Sequence, residues 1–153
     1  MPVKRNRANI RDVLFGEHVK VIEPCNLYEC SIGEHSFIGP FVEIQKGVVI
    51  GKHCKIQSHS FICELVTIGD YSFVGHGVMF INDLFENHGP AKGNKLLWKA
   101  TQIGSHVSIG SNATILPVSI CDGVVIGAGA VVTKDINIPG VYTGNPAVLI
   151  RIF

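Results

Sequence analysis

The stretch from Ile32 to Phe80 reads IGEHSFIGPFVEIQKGVVIGKHCKIQSHSFICELVTIGDYSFVGHGVMF, and it repeats one pattern every six residues. Large apolar residues occupy every sixth position without a break, at Ile32, Ile38, Ile44, Ile50, Ile56, Ile62, Ile68, Val74 and Phe80. Smaller residues lie two positions before them, as Cys30, Ser36 and Val42 do. A period of six fits neither the 3.6-residue turn of an α-helix nor a heptad. It predicts short strands joined by corners, and three such units close a triangular coil of about 18 residues.

The same period continues on both sides of this stretch. A second run follows at Ile103, Ile109, Ile115, Ile120, Ile126 and Val132, with one residue deleted before Ile120. A weaker run through Val13, Val19 and Cys25 slips by one residue near Asn26. Stacked at the spacing of parallel strands, about 4.8 Å, these units predict an all-β parallel β-helix of about six coils, one domain over residues 1–153. Large residues should fill the interior, with small ones near the corners. An ordinary β-sandwich would show irregular strand spacing and hairpin turns.

Composition excludes several function classes. The net charge is +1 and charged residues make up 16% of the chain, which is too balanced and too sparse for a dedicated nucleic-acid binder. No apolar run reaches the roughly 18 residues of a membrane helix, and the basic segment Met1–Arg11 has no apolar stretch behind it. Neither a membrane span nor a signal peptide is therefore predicted. The five cysteines contain no CxxC pair and favour free thiols in a cytoplasmic protein.

Three C-terminal motifs accompany the repeat: SNATILPV at Ser111–Val118, VIGAGAVVTKDI at Val125–Ile136 and GNPA at Gly144–Ala147. With the repeat, they resemble the hexapeptide-repeat acyltransferase superfamily over nearly the whole chain. The resemblance implies a left-handed coil, against the usual handedness of parallel crossovers. It also implies a homotrimer, with each active site formed between two chains, and acetyl-CoA as acyl donor.

The same resemblance assigns residues to coenzyme A near a short C-terminal cap. Lys134 and Arg151 are the cations expected at its phosphates, because phosphate needs fixed positive donors. Exposed backbone amides around Gly110 and Ala128 match where the family holds the pantetheine arm. The alternative for both cations is an ordinary solvated charge.

The repeat is interrupted between Phe80 and Ile103 by the excursion Asn82–Gln102. A loop of this length is usually functional or disordered. Its apolar residues Phe85, Leu96, Leu97 and Trp98 argue against disorder, because they need a surface to pack on. In the resembling family such a loop reaches a neighbouring subunit and walls the active site. The alternative is a loop that only clamps the trimer.

The segment FIND, Phe80–Asp83, resembles the Phe-Thr-Asn-Asp segment of nucleotide-amino-sugar N-acetyltransferases in this superfamily. By that match Asn82 orients the acceptor amine or the thioester carbonyl, and Asp83 accepts a hydrogen bond from the amine. The alternative is that Asn-Asp merely opens the loop as a turn. Glu64, in the middle coils, is a further candidate for binding the sugar.

Seven histidines are present, and most have a structural explanation. His35 and His53 are 18 residues apart, so they should stack on one outer corner, which His18 and His106 also share. His76, at the base of the loop, is the leading candidate for a catalytic base, because imidazole titrates near neutrality. His59, which could approach His76 on a neighbouring coil, is a second candidate for the base. His88, in the loop, is a third candidate for the base and a candidate for substrate binding. No histidine pair has the five-residue spacing of the zinc-binding branch of this fold, so no metal is predicted.

These features favour transfer of an acetyl group to the amine of a dTDP- or UDP-linked 3-amino or 4-amino deoxysugar, feeding surface polysaccharide synthesis. The alternatives are an O-acetyltransferase acting on a sugar or other small hydroxyl, which needs a stronger base, and a non-catalytic β-helix that serves as an assembly module. The sugar, its nucleotide and the acyl length stay open.

Overall fold

A computed structural model describes residues 1–153, almost entirely as short strands. In chain order the strands are β1 Ile10–Arg11, β2 Leu14–Phe15, β3 Lys20–Val21, β4 Asn26–Tyr28, β5 Ser31–Ile32, β6 Phe37–Ile38, β7 Glu43–Ile44, β8 Val49–Ile50, β9 Lys55–Ile56, β10 Phe61–Ile62, β11 Val66–Ile68, β12 Phe73–Val74, β13 Met79–Phe80, β14 Thr101–Ile103, β15 Ser108–Ile109, β16 Thr114–Ile115, β17 Ser119–Ile120, β18 Val125–Ile126, β19 Val131–Val132, β20 Gly140–Thr143 and β21 Val148–Ile152. The helical element is one 3₁₀ turn, Lys95–Leu97, and no helix has the length and apolar character needed to span a bilayer.

Every third strand belongs to the same sheet, which is the topology of a coil with three sides. The first sheet runs β1-β4-β7-β10-β13-β16-β19, the second β2-β5-β8-β11-β14-β17, and the third β3-β6-β9-β12-β15-β18-β20-β21. All pairs are parallel except the C-terminal hairpin β20–β21. The result is a β-helix of about seven turns, consistent with the left-handed type, against about six predicted.

Three edges join the sheets and are used below to locate the sites. The first edge lies between the first and second sheets, the second edge between the second and third sheets, and the third edge between the third and first sheets. The excursion leaves the coil at the first edge, between β13 and β14.

The repeat forms two rows of side chains inside the coil, one of large apolar residues and one of the smaller residues two positions before them, and the interior confirms both. The large apolar residues from Ile32 to Val132 are at most 4% exposed, and the small residues two positions earlier, such as Ser36, Val48 and Ala113, are buried beside them. Burying one large aliphatic side chain stabilises the fold by about 1.5–3 kcal/mol. A side chain at a glycine such as Gly33 would meet the next coil, since its Cβ would lie 2.6 Å from the carbonyl carbon of Gly51.

The N-terminal coil corrects the predicted register. Val13, Val19 and Cys25 occupy the row of small residues, while the partners of Ile32, Ile38 and Ile44 in the large row are Phe15, Val21 and Leu27. The one-residue slip therefore falls between Leu27 and Ile32, and a second slip falls between Ile10 and Phe15. The slips were hard to place because valine fits either row.

The second edge carries an aromatic stack that confirms the corner role of four histidines. The rings of His18, His35, His53, Tyr71 and His106 follow one another with centroids 4.7–5.0 Å apart. All five residues have positive φ, between 54° and 58°. Stacking between successive coils therefore accompanies a backbone conformation that side chains other than glycine adopt only rarely.

Candidate active site

Asn82 joins the two ends of the excursion. Its side-chain Nδ2 donates to the carbonyl of Glu64 at 3.1 Å, one coil below, and its own carbonyl accepts from the N–H of Lys99 at 2.8 Å. The loop thus leaves and re-enters the β-helix at one fixed point. The amide oxygen Oδ1 of Asn82 makes no bond of its own and stays available as an acceptor.

Asp83 shapes the start of the loop. One carboxylate oxygen accepts from the N–H of Phe85 at 3.0 Å, and the other accepts from the N–H of Ala91, a buried residue, at 2.7 Å. Within one chain, Asp83 therefore forms a turn that opens the loop. This was the alternative to the predicted role of Asp83 as an acceptor of a hydrogen bond from the substrate amine.

Glu64 binds the C-terminal part of the loop. Its side chain is only 13% exposed and binds the ammonium of Lys95 at 2.8 Å. The Lys95 Nζ atom also lies 5.3 Å from the centroid of the Trp98 ring, within range of a cation–π interaction. The N–H of Glu64 donates to Gln45 Oε1 at 3.3 Å. Glu64 thus links the middle coils to the loop through its side chain and its backbone.

The apolar residues of the loop differ in burial within one chain. Leu97 and Trp98 are half-buried, but Phe85 is 60% exposed and Leu96 is 91% exposed. Hydrogen bonds at Asp83 and the ion pair at Glu64 hold the loop within one chain, and the packing of Phe85 and Leu96 on a neighbouring subunit stays a prediction.

A cleft of about 440 Å³ separates the loop from the first sheet. Its lining includes Gln45, Phe61, Cys63, Asn82, Phe85 and Trp98. Burial raises the pKa of the Cys63 thiol to about 12, and the charge of Glu64 adds to this effect. Burial thus favours the protonated thiol, which disfavours Cys63 as an acyl-accepting nucleophile. The cleft instead offers aromatic faces and the amides of Gln45 and Asn82.

A polar network below the cleft fixes Gln45, and the sequence did not reveal it. Glu43 accepts from Gln45 Nε2 at 3.0 Å and from Asn26 Nδ2 at 2.9 Å, one bond to each carboxylate oxygen. Burial, with the charges of Glu43 and Glu64, raises the pKa of Tyr28 on the same face. The amide of Gln45 is therefore oriented before any ligand arrives.

His76 lies on the third edge, away from the loop. Its Nδ1 atom is 2.9 Å from Ser58 Oγ, and its ring is exposed. His59 lies on the adjacent coil, where its ring centroid is 4.9 Å from that of Phe41. The two histidines share the third edge but do not lie directly above one another. Successive coils are offset by 18 residues here, whereas His59 and His76 are 17 residues apart. The residue directly below His76 is therefore Ser58.

Free backbone donors lie above His76 on the same edge. The N–H of Gly110 is not among them, since it donates to the carbonyl of Ile126 at 2.8 Å, and a side chain there would collide with the backbone of Ala128. The N–H groups of Ser111 and Ala128 donate to no acceptor in the chain. The free amides near the predicted pair are thus those of Ser111 and Ala128.

The remaining candidates lie apart from one another. Lys134 is exposed two residues beyond β19 of the first sheet, and Arg151 is exposed on β21 of the third sheet, with its guanidinium carbon 5.6 Å from the Phe153 ring centroid. His88 is exposed in the loop, where its N–H donates to Phe85. No group of three His, Cys, Asp or Glu side chains is placed to hold a metal ion.

The candidates therefore form two groups on opposite sides of the first sheet. His59, His76, Gly110 and Ala128 share the third edge, whereas Glu64, Asn82 and Asp83 meet at the first edge. Strand β13, Met79–Phe80, lies between His76 and Asn82, so one chain does not bring the two groups together.

Family models match both repeat runs. The model described as bacterial transferase hexapeptide (six repeats) matches residues 29–64, and that described as hexapeptide repeat of succinyl-transferase matches residues 101–134. The chain is a hexapeptide-repeat protein. The excursion falls between the two matched segments, as the break in period predicted.

Known proteins similar to this hexapeptide-repeat chain include transferases. It is 37% identical over 107 residues to the bifunctional protein GlmU of Clavibacter sepedonicus, which covers 69% of this chain and 19% of GlmU. The chain thus spans about a fifth of the length of that relative. Among solved structures, a mutant of AntD, an N-acyltransferase from Bacillus cereus in complex with dTDP and coenzyme A, matches with a TM-score of 0.71 at 24% identity, covering 93% of this chain and 81% of AntD.

A second solved structure is a hexapeptide-repeat acetyltransferase of Vibrio cholerae O1 biovar eltor, complexed with acetyl coenzyme A. It matches with a TM-score of 0.66 at 25% identity, covering 79% of this chain and 69% of the other. These similarities agree with the β-helix described above.

Proposed function

We propose that this chain is an acyltransferase that moves the acetyl group of acetyl-CoA to the amine of a nucleotide-linked deoxyamino sugar, for surface polysaccharide synthesis. The observation that carries the proposal is the order of groups on the third edge. The free N–H groups of Ala128 and Ser111 lie on successive coils above the imidazole of His76. An extended pantetheine arm carries carbonyl acceptors along its length, and these two donors suit them.

The chemistry needs a base and a stabilised carbonyl. The acceptor nitrogen attacks the thioester carbon, the bond from carbon to sulfur breaks, and the proton lost by nitrogen passes to His76 and then to the departing coenzyme A thiolate. Positioning the two substrates supplies most of the acceleration when the nucleophile is a neutral amine. His76 is the proposed base because it is exposed on the edge that holds the donors.

Coenzyme A as donor is supported by the C-terminal motifs and by the Vibrio cholerae structure, which contains acetyl coenzyme A. Lys134 and Arg151 remain the proposed phosphate ligands. Because they lie on different sheets, we expect them to contact different phosphates of one coenzyme A molecule, or Arg151 to contact a molecule bound mainly by a neighbouring chain.

The cleft beside the loop is the proposed site of the acceptor sugar. Its volume of about 440 Å³ suits one sugar ring and part of its substituents. Trp98 and Phe61 offer apolar faces, while Gln45 and the free Oδ1 of Asn82 offer polar contacts. AntD, which has the same fold, was solved with dTDP and coenzyme A together. Asp83 and Glu64 act mainly by holding the loop, and His88, exposed in the same loop, is the proposed contact to the nucleotide.

The proposed enzyme is a homotrimer with active sites between chains, and the separation of the two groups supports an active site that is shared between chains. His76 and the cleft lie at opposite edges of one first sheet, so a complete site needs the third edge of one chain beside the cleft of the next. The exposed Phe85 and Leu96 of the loop fit burial against a neighbour. Light scattering should give three chains per particle and calorimetry three coenzyme A sites. A fully active monomer would contradict this arrangement.

O-acetylation is the second candidate, favoured by a specific observation. A hydroxyl needs a stronger base than an amine, and His76 is already paired with Ser58 at 2.9 Å. Acceptor choice therefore separates the two enzymatic functions.

The test is thiol release from acetyl-CoA with UDP- and dTDP-linked 3-amino and 4-amino sugars, using the matching sugars that carry a hydroxyl as controls. Turnover with an amino sugar alone supports N-acetylation, and turnover with the hydroxyl controls supports O-acetylation. Failure to bind coenzyme A would contradict both and leave a non-catalytic β-helix.

A further inference from the structure

A serine stands against the proposed base. Ser58 Oγ is 2.9 Å from Nδ1 of His76, on the coil directly below. We propose that Ser58 is a positioning residue that keeps a proton on Nδ1 of His76, so that Nε2 is left free to take the proton of the acceptor. The inference rests on the proposed function, in which His76 is the base, and it adds a residue that the sequence motifs did not single out.

The fold fixes the distance between the two residues. The pairing of Phe61 with Met79 sets the 18-residue offset that places His76 above Ser58. The N–H of Gly77 donates to the carbonyl of Ser58 at 3.0 Å, so the two turns are also joined through the backbone. This register fixes the two backbones relative to each other, and the hydrogen bond at Nδ1 orients the imidazole. The imidazole is therefore held at Nδ1 and leaves its Nε2 side unbonded.

A hydroxyl suits this role in both states of the base. When His76 is neutral, its Nδ1–H donates to Ser58 Oγ, and Nε2 carries the free electron pair. When Nε2 takes the proton from the acceptor, Nδ1–H still donates to the same oxygen, and the imidazolium is stabilised. The hydrogen bond made by one ring nitrogen decides which tautomer is present. Because the hydroxyl is neutral, the proton on Nε2 is released readily to the coenzyme A thiolate.

The hydrogen bond that the His76 ring makes is the one to Ser58, although Ser111 lies above it on the next coil and Asn112 donates to its backbone carbonyl. The strands that meet at this edge present Lys55 and Phe73 from the third sheet, and Phe61 and Met79 from the first sheet. The nearest titratable side chain on the edge itself is His59, and it faces Phe41. Glu43 of the first sheet is occupied by Asn26 and Gln45.

The second edge supplies a matched control. Ser105 and His106 repeat the Ser-His dipeptide of Ser58 and His59 in the same kind of turn, with φ of 56° at His106 and 65° at His59. The Ser105 hydroxyl makes no hydrogen bond to a histidine. Replacing Ser105 by alanine removes a hydroxyl from an equivalent corner without touching His76.

The first measurement uses the chain without substrate. Long-range ¹⁵N–¹H spectra of the ¹⁵N-labelled protein near pH 8, with His76→Ala to assign the signals, report which ring nitrogen carries the proton. We expect the proton on Nδ1 in the wild type and in Ser105→Ala, and a shift toward Nε2 in Ser58→Ala. Ser58→Thr keeps a hydroxyl and should restore the Nδ1–H form. A wild-type spectrum with the proton on Nε2 would overturn the proposal.

The second measurement is a pH–rate profile for acetyl-CoA with a dTDP-linked 4-amino sugar. Removing the acceptor of the Nδ1 proton destabilises the protonated imidazole, so in Ser58→Ala the acidic limb of kcat should move to lower pH. We expect kcat to fall roughly tenfold, the worth of one hydrogen bond to a charged group, with KM for acetyl-CoA within about twofold. Ser58→Asp should move the limb to higher pH, because a carboxylate stabilises the imidazolium.

The outcomes distinguish a failure of the role proposed for Ser58 from a failure of the proposed function. If His76→Ala is impaired and Ser58→Ala matches the wild type, the role of Ser58 is wrong and His76 keeps its own. A fall in kcat with an unmoved acidic limb means that Ser58 acts only through packing, which also overturns the proposal. If no acceptor is turned over, the proposed function fails, while the spectra still decide whether Ser58 sets the tautomer. Melting curves exclude misfolding, and Ser58→Thr replaces Ser58→Ala if the alanine variant unfolds.

Discussion

The second and third edges of the β-helix are built from the same kind of turn, yet they carry different side chains. On the second edge, five aromatic residues from His18 to His106 stack through the coils without a break. On the third edge the corresponding positions are Phe41, His59, Gly77, Asn112 and Gly129, and the stack stops after His59. The position before the turn residue holds Ser58, His76 and Ser111 on successive coils of the third edge.

The difference separates structural histidines from candidate catalytic ones. A side chain that repeats at every coil has the same surroundings each time, and stacking on its neighbours accounts for it. His76 breaks the series on its edge, since the coils below and above place Ser58 and Ser111 at its position. A site for one substrate must differ from the repeat that supports it. The irregular edge is therefore the better candidate for chemistry.

The sharpest test of this comparison replaces one histidine on each edge. His76→Ala should lower kcat/KM for acetyl transfer by roughly 10²–10⁴-fold, the usual contribution of a general base. His53→Ala, in the middle of the stack, should stay within about twofold of the wild type. Thiol release from acetyl-CoA measures both.

The variants His76→Ala and His53→Ala can also contradict the proposed difference between the two edges. Equal activity of the two variants would remove His76 from the mechanism, and an amine that needs only orientation would then explain turnover. Equal loss in both variants would mean that the stack supports the active site as strongly as the irregular edge does.

A smaller effect is expected from glycines in the turns of the two edges. Gly77 on the third edge and Gly123 on the second both have positive φ, at 67° and 73°. Alanine at either position costs about 1–2 kcal/mol of folding free energy, because a Cβ is strained in this conformation. A Cβ at Gly77 would also lie 2.5 Å from Asn112 Oδ1, whereas the nearest atom at Gly123 is Pro139 Cβ at 3.9 Å.

Gly77→Ala and Gly123→Ala should therefore differ mainly in activity. Both should lower the midpoint of guanidinium unfolding by similar amounts. Gly77→Ala alone should also reduce kcat, by roughly tenfold, because Asn112 must turn away beside His76. Equal kcat in the two variants would show that the space next to His76 does not matter.

The interior of the fold could be predicted because each position depends on a local rule. Ile56 or Val107 is buried wherever the period of six holds, since the coil repeats its geometry. The N-terminal coil was harder, because Val13 and Val19 suit the row of small residues as well as the row of large ones. The pairings of Phe15 with Ile32 and of Val21 with Ile38 show that Val13 and Val19 occupy the row of small residues.

The site was predictable where it follows the repeat and not where it leaves it. The 18-residue offset that stacks His53 on His35 also places His76 on Ser58, so this contact was readable from the sequence, although His59 was considered instead. The contacts of Asp83 with Ala91 and of Lys95 with Glu64 were not readable. They depend on the path of a loop with no period, and that path is set by contacts distant in sequence.

The smallest expected effect concerns the stack itself. Tyr71 lies between His53 and His106 with ring centroids 4.7 and 5.0 Å away and nearly parallel planes. Tyr71→Ala removes both contacts from an exposed position, so the free energy of unfolding should fall by about 1 kcal/mol while kcat is unchanged. Tyr71→His should restore most of the loss by continuing the histidine series. A double-mutant cycle with His106→Ala isolates one contact, and a coupling energy of zero would mean that the rings lie over one another without stabilising the edge.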